Sequence, residues 1–315
     1  MSALRSSVVA YVAIRRALGA RFTEPATALG HFVDFLESEG AQFVTTALAL
    51  RWAKQPSWAL PSSWARRLGI VRGFAAWQSA YEPRTEVPPE RLIRARHRRK
   101  TPYIFTDQAI EQIMGAAAQL SSPTKLRSLT YVTLIGLLAT TGMRPGEALA
   151  LDVADVDLET GILTVRQTKF GKTRVVPVGE SARTALACYA KRRDKIYQRR
   201  RSDAFLVDAR GARLGSGTVR RTFAKLCRAT GLRKPQEGKR IGRGPRLYDL
   251  RHTFATQRMV EWYRAGLDVG RKMPGLSTYL GHLDVAHTYW YVEAIPELLQ
   301  LATERLMTDR QGGGQ

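Results

Sequence analysis

A break between positions 82 and 102 constrains the fold of this chain more than any other feature. Pro83, Pro88 and Pro89 oppose helix formation there, and six of the ten residues at 91–100 are Lys or Arg. The chain has 315 residues, whereas single hydrophobic cores usually stop growing near ~250–300 residues. We therefore predict a helical domain at residues 1–90, a basic linker at 91–102 and a second domain at 103–310.

Helical periodicity dominates the first domain. Apolar side chains recur at three- and four-residue intervals in residues 7–18 and 25–39, and residues 47–54 and 62–81 supply two more predicted helices. The tryptophans of this domain are predicted to pack in its core, with base stacking by one of them as the alternative. They are Trp52, Trp58, Trp64 and Trp77.

The second domain combines helices with one pair of strands. Residues 125–140 predict a helix that should be buried, because it is almost entirely apolar from 131 to 139. Short β-rich runs at 161–166 and 173–178 predict a hairpin. The fold class is therefore predicted to be mainly α with a small antiparallel β-sheet, an α+β fold. Other helices are predicted to begin after Thr106 and to cover 180–200, 216–230 and 293–307.

The balance of charge predicts a polyanionic partner. Fifty Lys and Arg residues against 27 Asp and Glu give a net charge of +23, which favours nucleic acid. No apolar run approaches the ~18 residues of a membrane-spanning helix, and the first residues lack a secretory apolar segment. Cys188 and Cys227 form no CxxC pattern and are expected to be free thiols. These features predict a cytoplasmic, DNA-binding protein without a membrane partner.

A series of polar residues in the second domain suits chemistry on a phosphodiester. Residues 246–256 include Arg251 and His252, residues 279–282 end in His282, and residues 288–291 include Tyr289 and Tyr291. Guanidinium groups present paired donors to phosphate oxygens, and an imidazole can donate a hydrogen bond or carry a proton. A tyrosine phenol can act as a covalent nucleophile. Together these groups predict attack on a DNA phosphate by a tyrosine.

The order and content of the segments that carry these residues resemble those of the tyrosine recombinases, the phage integrase family. The segments are 141–149 (TGMRPGEAL), 168–177 (TKFGKTRVVP), 250–256 (LRHTFAT), 280–282 (LGH) and Tyr291. The resemblance implies a site-specific recombinase that cleaves and rejoins DNA strands through a 3′-phosphotyrosine, with no ATP or metal as cofactor.

The resemblance also implies roles for individual residues. Tyr291 would be the nucleophile, because it lies nine residues after His282, although Tyr289 competes for the role. Tyr248 stands where the family most often has His, and its phenol can still donate to a phosphate oxygen. The implied catalytic set is Arg144, Lys169, Tyr248, Arg251, His282 and Tyr291, supported by Glu147, Lys172 and His252. Lys172 is the alternative to Lys169 as general acid, and His252 is alternatively a packing residue.

DNA contacts are predicted from two basic segments and from the resemblance. The predicted phosphate-binding residues are Arg94, Arg96, Arg98, Arg99 and Lys100 in the linker and Arg220, Arg221 and Lys225 on one helix. The first domain resembles the family's core-binding domain in composition. The implied partners are double-stranded DNA, three further copies in a tetramer on two DNA sites, and accessory DNA-bending or partner recombinase proteins. The apolar stripe of residues 293–307 would dock on a neighbouring protomer or on its own domain.

Three other interpretations of the same residues stay open at this point. A type IB topoisomerase uses the same chemistry to relax supercoils as a monomer, but does not need a docking tail. A non-catalytic architectural relative would be expected to lack a core group, and only Tyr248 deviates. A metal site could be drawn from His252, His282 and His287 with nearby acids, but their spacing matches no common ligand set, so no metal is predicted.

Overall fold

The computed structural model of the chain divides into two units, Met1–Lys100 and Thr101–Gln315. The division falls inside the linker predicted at 91–102. The structure describes residues 2–20, 22–95, 101–166, 173–199, 201–235, 244–282, 284–286, 288, 289, 298–300 and 303.

The first unit is a helical domain with its own core. Trp52 lies at the centre of that core, with its ring 5.1 Å from that of Phe32 and the Arg67 guanidinium 3.7 Å above it. This confirms the packing prediction for Trp52, whereas Trp58 is 71% exposed. The predicted helix at 7–18 begins earlier, because Ser2 accepts a hydrogen bond from the backbone N–H of Arg5 and caps an extra turn. The helices are α1 (Ala3–Ala17), α2 (Thr23–Ser38), α3 (Thr46–Lys54) and α4 (Pro61–Gln78).

The second unit is built around one apolar helix. Its helices are α5 (Asp107–Ala118), α6 (Leu126–Thr141), α7 (Pro145–Ala150), α8 (Glu180–Ile196), α9 (Ser216–Ala229), α10 (Asp249–Arg264) and α11 (Val269–Leu280). The α6 helix packs against α5, α8 and α10, as its apolar sequence requires, and is buried as predicted. Thr106 caps α5, as expected, by accepting a hydrogen bond from the backbone N–H of Ala109 at 3.1 Å.

Within the described residues, a three-stranded antiparallel sheet follows α7 in the order β1 (Val156–Asp157), β2 (Ile162–Val165) and β3 (Arg174–Pro177). The predicted hairpin is β2–β3, with Val165 opposite Arg174 as the last pair before the connecting loop. The two-residue strand β1 was not predicted, because it is too short to show an alternating pattern. The fold is mainly helical with a small antiparallel sheet, as predicted.

The α10 and α11 helices form a separate apolar cluster with Leu298 from the C-terminal segment. Met259 and Met273 lie in that cluster, and Leu298 is completely buried there. Leu299, the next residue, is 46% exposed. At Leu298, therefore, the apolar stripe packs on its own unit, while most of the predicted helix at 293–307 lies outside the described residues.

Two chemical properties of the described chain follow from burial and hydropathy. Both cysteines are free thiols, as predicted. Cys227 is buried, which raises the pKa of its thiol to about 11 and keeps it protonated at neutral pH. No helix among the described residues is long and apolar enough to cross a membrane.

We expect Gly142→Ala to destabilise the second unit by about 2–5 kcal/mol. Gly142 ends α6 with a left-handed φ of +60°, which costs about 1–2 kcal/mol for alanine. Its new Cβ would also lie 2.5 Å from Cδ1 of Phe254, and such overpacking costs about 1–3 kcal/mol. Gly266→Ala is the matched control, because Gly266 has a φ of +68° but open space around it. Urea unfolding that gives equal losses for both variants would contradict the predicted clash.

Candidate active site

A buried arginine joins three distant segments of the second unit. Arg251 lies in the first turn of α10 and is completely buried. Its Nη1 donates to the carbonyl oxygen of Gly142 at 2.9 Å, and its Nη2 donates to that of Leu280 at 2.6 Å. These bonds hold the end of α6 and the end of α11 at a fixed distance from α10. The segments that carry Arg144, Arg251 and His282 are thus brought together.

Arg144 occupies the turn between α6 and α7 and is held from two sides. Its Nη1 donates to Oε1 of Glu147 at 2.8 Å, and its Nη2 donates to the carbonyl oxygen of Gly281 at 2.9 Å. The Arg144 backbone N–H also donates to Oε2 of Glu147 at 3.0 Å, which closes the first turn of α7. About a third of the Arg144 side chain is exposed, so donors remain accessible to a ligand.

Glu147 has a second arginine partner that the sequence did not reveal. Arg174 on β3 donates from Nη1 and Nη2 to the two carboxylate oxygens of Glu147, at 3.0 and 2.7 Å. Burial alone would raise the pKa of Glu147, but the hydrogen bonds and charge of Arg174, and then the bonds from Arg144, outweigh it. The pKa is lowered to about 2. Glu147 is therefore an anion at neutral pH.

His252 and Tyr248 lie against each other at the start of α10. Their ring centroids are 5.0 Å apart in an edge-to-face arrangement. His252 is 9% exposed, and burial lowers the pKa of its imidazole to about 4, with Arg246 and Arg251 acting in the same direction and Asp249 against it. The imidazole is therefore neutral at pH 7. Tyr248 is 37% exposed and presents the accessible phenol of the pair.

His282 is fixed by a residue that the sequence did not point to. Its Nδ1 lies 2.8 Å from Oγ1 of Thr288, which is completely buried. The backbone N–H of His282 donates to the carbonyl oxygen of Ser277 at 2.9 Å, just past the end of α11. The hydroxyl thus restrains the orientation of the ring. A Thr six residues after a His gives no motif by which it could have been found.

Several predicted site residues lie outside the described residues. These are Lys169, Lys172 and Tyr291 of the catalytic proposals, and Arg96, Arg98, Arg99 and Lys100 of the linker. Tyr289, the competitor for the nucleophile role, is 46% exposed. Arg94 is exposed, and so are Arg220, Arg221 and Lys225, which share the outer face of α9. Among the described residues, no group of three His, Cys, Asp or Glu side chains is arranged to hold a metal ion.

Comparison with known proteins identifies the family to which this arrangement of segments corresponds. The model of the phage integrase family matches residues 104–297. This chain belongs to the phage integrase family. The matched range includes every segment on which the resemblance was based. The enzymes of this family are tyrosine recombinases.

Individual relatives match between about three quarters and almost the whole of this tyrosine recombinase. A putative integrase/recombinase of Sinorhizobium fredii, y4rB, is 44% identical over 310 residues, which is 97% of this chain and 98% of the relative. The tyrosine recombinase XerD of Caulobacter vibrioides is 28% identical over 242 residues, covering 76% of this chain and 73% of XerD. The structure of the Tn1549 transposon integrase with transposon right end DNA superposes with a TM-score of 0.61 at 15% identity. The match covers 96% of this chain and 99% of the integrase chain. That structure shares the fold.

We expect His252→Gln to reduce the acid sensitivity of the recombinase. The pKa of His252 is about 4 in the folded chain and 6.5 ordinarily, so the unfolded chain binds more protons between these values. The stability that comes from keeping His252 neutral is complete above pH 6.5 and is lost as the pH falls towards 4. At pH 5 the loss is about 2 kcal/mol.

Urea unfolding at pH 7.5 and pH 5 measures this effect. The loss of unfolding free energy between the two values should be about 2 kcal/mol smaller in His252→Gln than in the unsubstituted protein. Equal losses in the two proteins would mean that folding does not lower the pKa of His252.

Proposed function

We propose that this chain is a site-specific DNA recombinase that cleaves and rejoins strands through a covalent 3′-phosphotyrosine at Tyr291. The observation that carries the proposal is the convergence of Arg144, Arg251 and His282 from segments far apart in the sequence. Hydrogen bonds from the two arginines to Gly142, Leu280 and Gly281 hold those segments together. Such an arrangement suits a phosphate group better than any neutral ligand.

The two arginines have different parts in this proposal. Arg144 is partly exposed and keeps donors that can bind the non-bridging oxygens of the scissile phosphate. Arg251 is completely buried, so it holds the site together and adds its charge to the field at the phosphate. Charge held in a surrounding that excludes water stabilises the transition state most effectively.

Proton transfer falls to the remaining polar groups. The phenol of Tyr291 must lose a proton from an ordinary pKa of ~10, and the departing 5′-oxygen must gain one. We assign the donation to Lys169, with Lys172 as the alternative. His282 and Tyr248 donate hydrogen bonds to the phosphate oxygens. His252, neutral and buried, packs behind Tyr248 and carries no charge to the site.

The reaction determines the proposed partners. Exchange between two DNA duplexes requires two strand cleavages in each, so four copies of the chain act on two sites. Accessory DNA-bending or partner recombinase proteins would complete the complex, and the DNA would be that of a mobile element within the cytoplasm. The burial of Leu298 in its own unit leaves Leu299 and the neighbouring exposed surface for contact between protomers.

Tyr291→Phe is expected to abolish covalent protein–DNA adducts while preserving DNA binding, because phenylalanine lacks the attacking oxygen. The assay incubates the protein with a supercoiled plasmid that carries its native flanking DNA, and separates adducts by denaturing electrophoresis. Tyr289→Phe is the control and should form adducts at the normal rate.

Other outcomes of this assay separate the alternatives. Adducts that persist in Tyr291→Phe and disappear in Tyr289→Phe would transfer the nucleophile role to Tyr289. Relaxed plasmid without exchanged strands would indicate topoisomerase activity. Binding without adducts in the unsubstituted protein would indicate an architectural role.

Replacing Arg220, Arg221 and Lys225 by Gln is expected to weaken DNA binding and its salt dependence together. Each neutralised phosphate contact contributes about 0.9 to the slope of log K against log salt, so the slope should fall by up to about 2.7. The matched control is the triple variant Arg183→Gln, Arg258→Gln and Arg271→Gln. It removes the same charge from cations already paired with Glu180, Glu261 and Asp268. Equal slopes for the two triple variants would show that α9 makes no specific phosphate contacts.

A further inference from the structure

Arg174 connects the β-hairpin to two other segments of the site. It is the first residue of β3, after the loop that contains the two candidate lysines, and it pairs with Val165 of β2. Its side chain is 14% exposed. Besides its two bonds to Glu147, its Nε donates to the carbonyl oxygen of Tyr279 at 3.1 Å. A Cβ added to Gly281 would lie only 3.0 Å from Nη1 of Arg174, so the guanidinium lies directly against that glycine.

The two arginines share one carboxylate. Oε1 of Glu147 accepts from Nη1 of Arg144 at 2.8 Å and from Nη1 of Arg174 at 3.0 Å. Arg174 also occupies Oε2 at 2.7 Å. Without Arg174, both carboxylate oxygens could take the paired donors of Arg144, since a fork-to-fork pair is the preferred geometry of arginine with a carboxylate. Arg144 would then lose donors and much of its positive field.

We infer that Arg174 is a positioning residue: it holds Glu147 so that Arg144 keeps its charge and its free donors for the scissile phosphate. The inference rests on the proposed function. It assigns to β3 a part in phosphate activation that is separate from that of the lysines on the hairpin loop. It also explains why an arginine, rather than an apolar residue, stands at the start of an otherwise apolar strand.

The test compares three DNA substrates cleaved at the phosphate that the unsubstituted protein attacks. The first has an ordinary phosphodiester. The second has a methylphosphonate, which lacks the negative charge that Arg144 must stabilise. The third has a 5′-bridging sulfur, which leaves as a thiolate and needs no proton donor. In each, the tyrosine oxygen forms a bond to phosphorus and the 5′-atom departs with the electron pair of the broken bond.

Arg174→Ala should cleave the ordinary phosphodiester roughly 10²-fold more slowly than the unsubstituted protein, since small displacements of catalytic groups have effects of that size. The defect should lie in kcat, with DNA affinity unchanged. It should largely disappear on the methylphosphonate and persist on the sulfur substrate. Arg144→Ala is expected to show the same pattern. The defect of Lys169→Ala should instead persist on the methylphosphonate and largely disappear on the sulfur substrate.

Two further variants separate positioning from simple stability. Arg166→Ala breaks an ion pair with Asp155 beside β2, the other strand of the hairpin, and should leave the cleavage rate on all three substrates unchanged. Arg174→Lys keeps the charge and should recover part of the rate. Unfolding temperatures of each variant establish that it is folded.

Three results would overturn the inference. They are an equal defect of Arg174→Ala on all three substrates, rescue by the sulfur substrate alone, and a full defect in Arg166→Ala. Failure of the unsubstituted protein to form any adduct would count against the proposed function instead.

Discussion

The guanidinium of Arg251 is the group on which the rest of the site depends. A charge buried as completely as this one is strongly unfavourable unless polar partners surround it. Two of those partners are carbonyl oxygens at the ends of α6 and α11, where helices leave acceptors without intrahelical donors. The charge therefore satisfies two helix ends while it fixes their separation. Any motion that separated these helices would break the hydrogen bonds of the guanidinium or expose it to water. The arrangement is therefore rigid.

The carboxylate of Glu147 provides the second constraint. It accepts hydrogen bonds from both Arg144 and Arg174, and its pKa of about 2 shows how strongly its anionic form is favoured. One negative charge cannot neutralise two guanidinium groups, so the local charge stays positive. The site therefore presents a field suited to an anion before any DNA arrives. Preorganised charge of this kind requires no rearrangement at the moment of reaction.

Much of this architecture could be predicted from the sequence, because its signals are local. The apolar run of α6, the cap at Thr106 and the β2–β3 hairpin all depend on neighbouring residues. The positions of Arg144 and Arg251 within a site were predicted by motif order. The partners that these arginines bind were not predicted.

The missed features depend on contacts between distant residues. Arg174 lies 27 residues from Glu147 and contacts it only because the sheet packs near α7. Packing was one of the two roles left open for His252, and the sequence alone could not decide between them, because the burial of a side chain depends on its tertiary contacts. The first turn of α1 was missed because its apolar pattern is weak and only the cap at Ser2 reveals it. The two-residue strand β1 forms because it pairs with β2. Its own residues are too few for strand propensity to indicate it.

The acceptors of the two site arginines have a consequence for how this sequence can vary. Arg144 and Arg251 both bind backbone oxygens, at Gly281, Gly142 and Leu280, and every amino acid carries such an oxygen. At position 280, therefore, Leu can be replaced by other residues that fill the same apolar space without loss of the hydrogen bond to Arg251. At the two glycines, the backbone conformation itself restricts substitution. Divergent homologues can thus keep an identical arrangement of charge while few of the surrounding side chains remain the same.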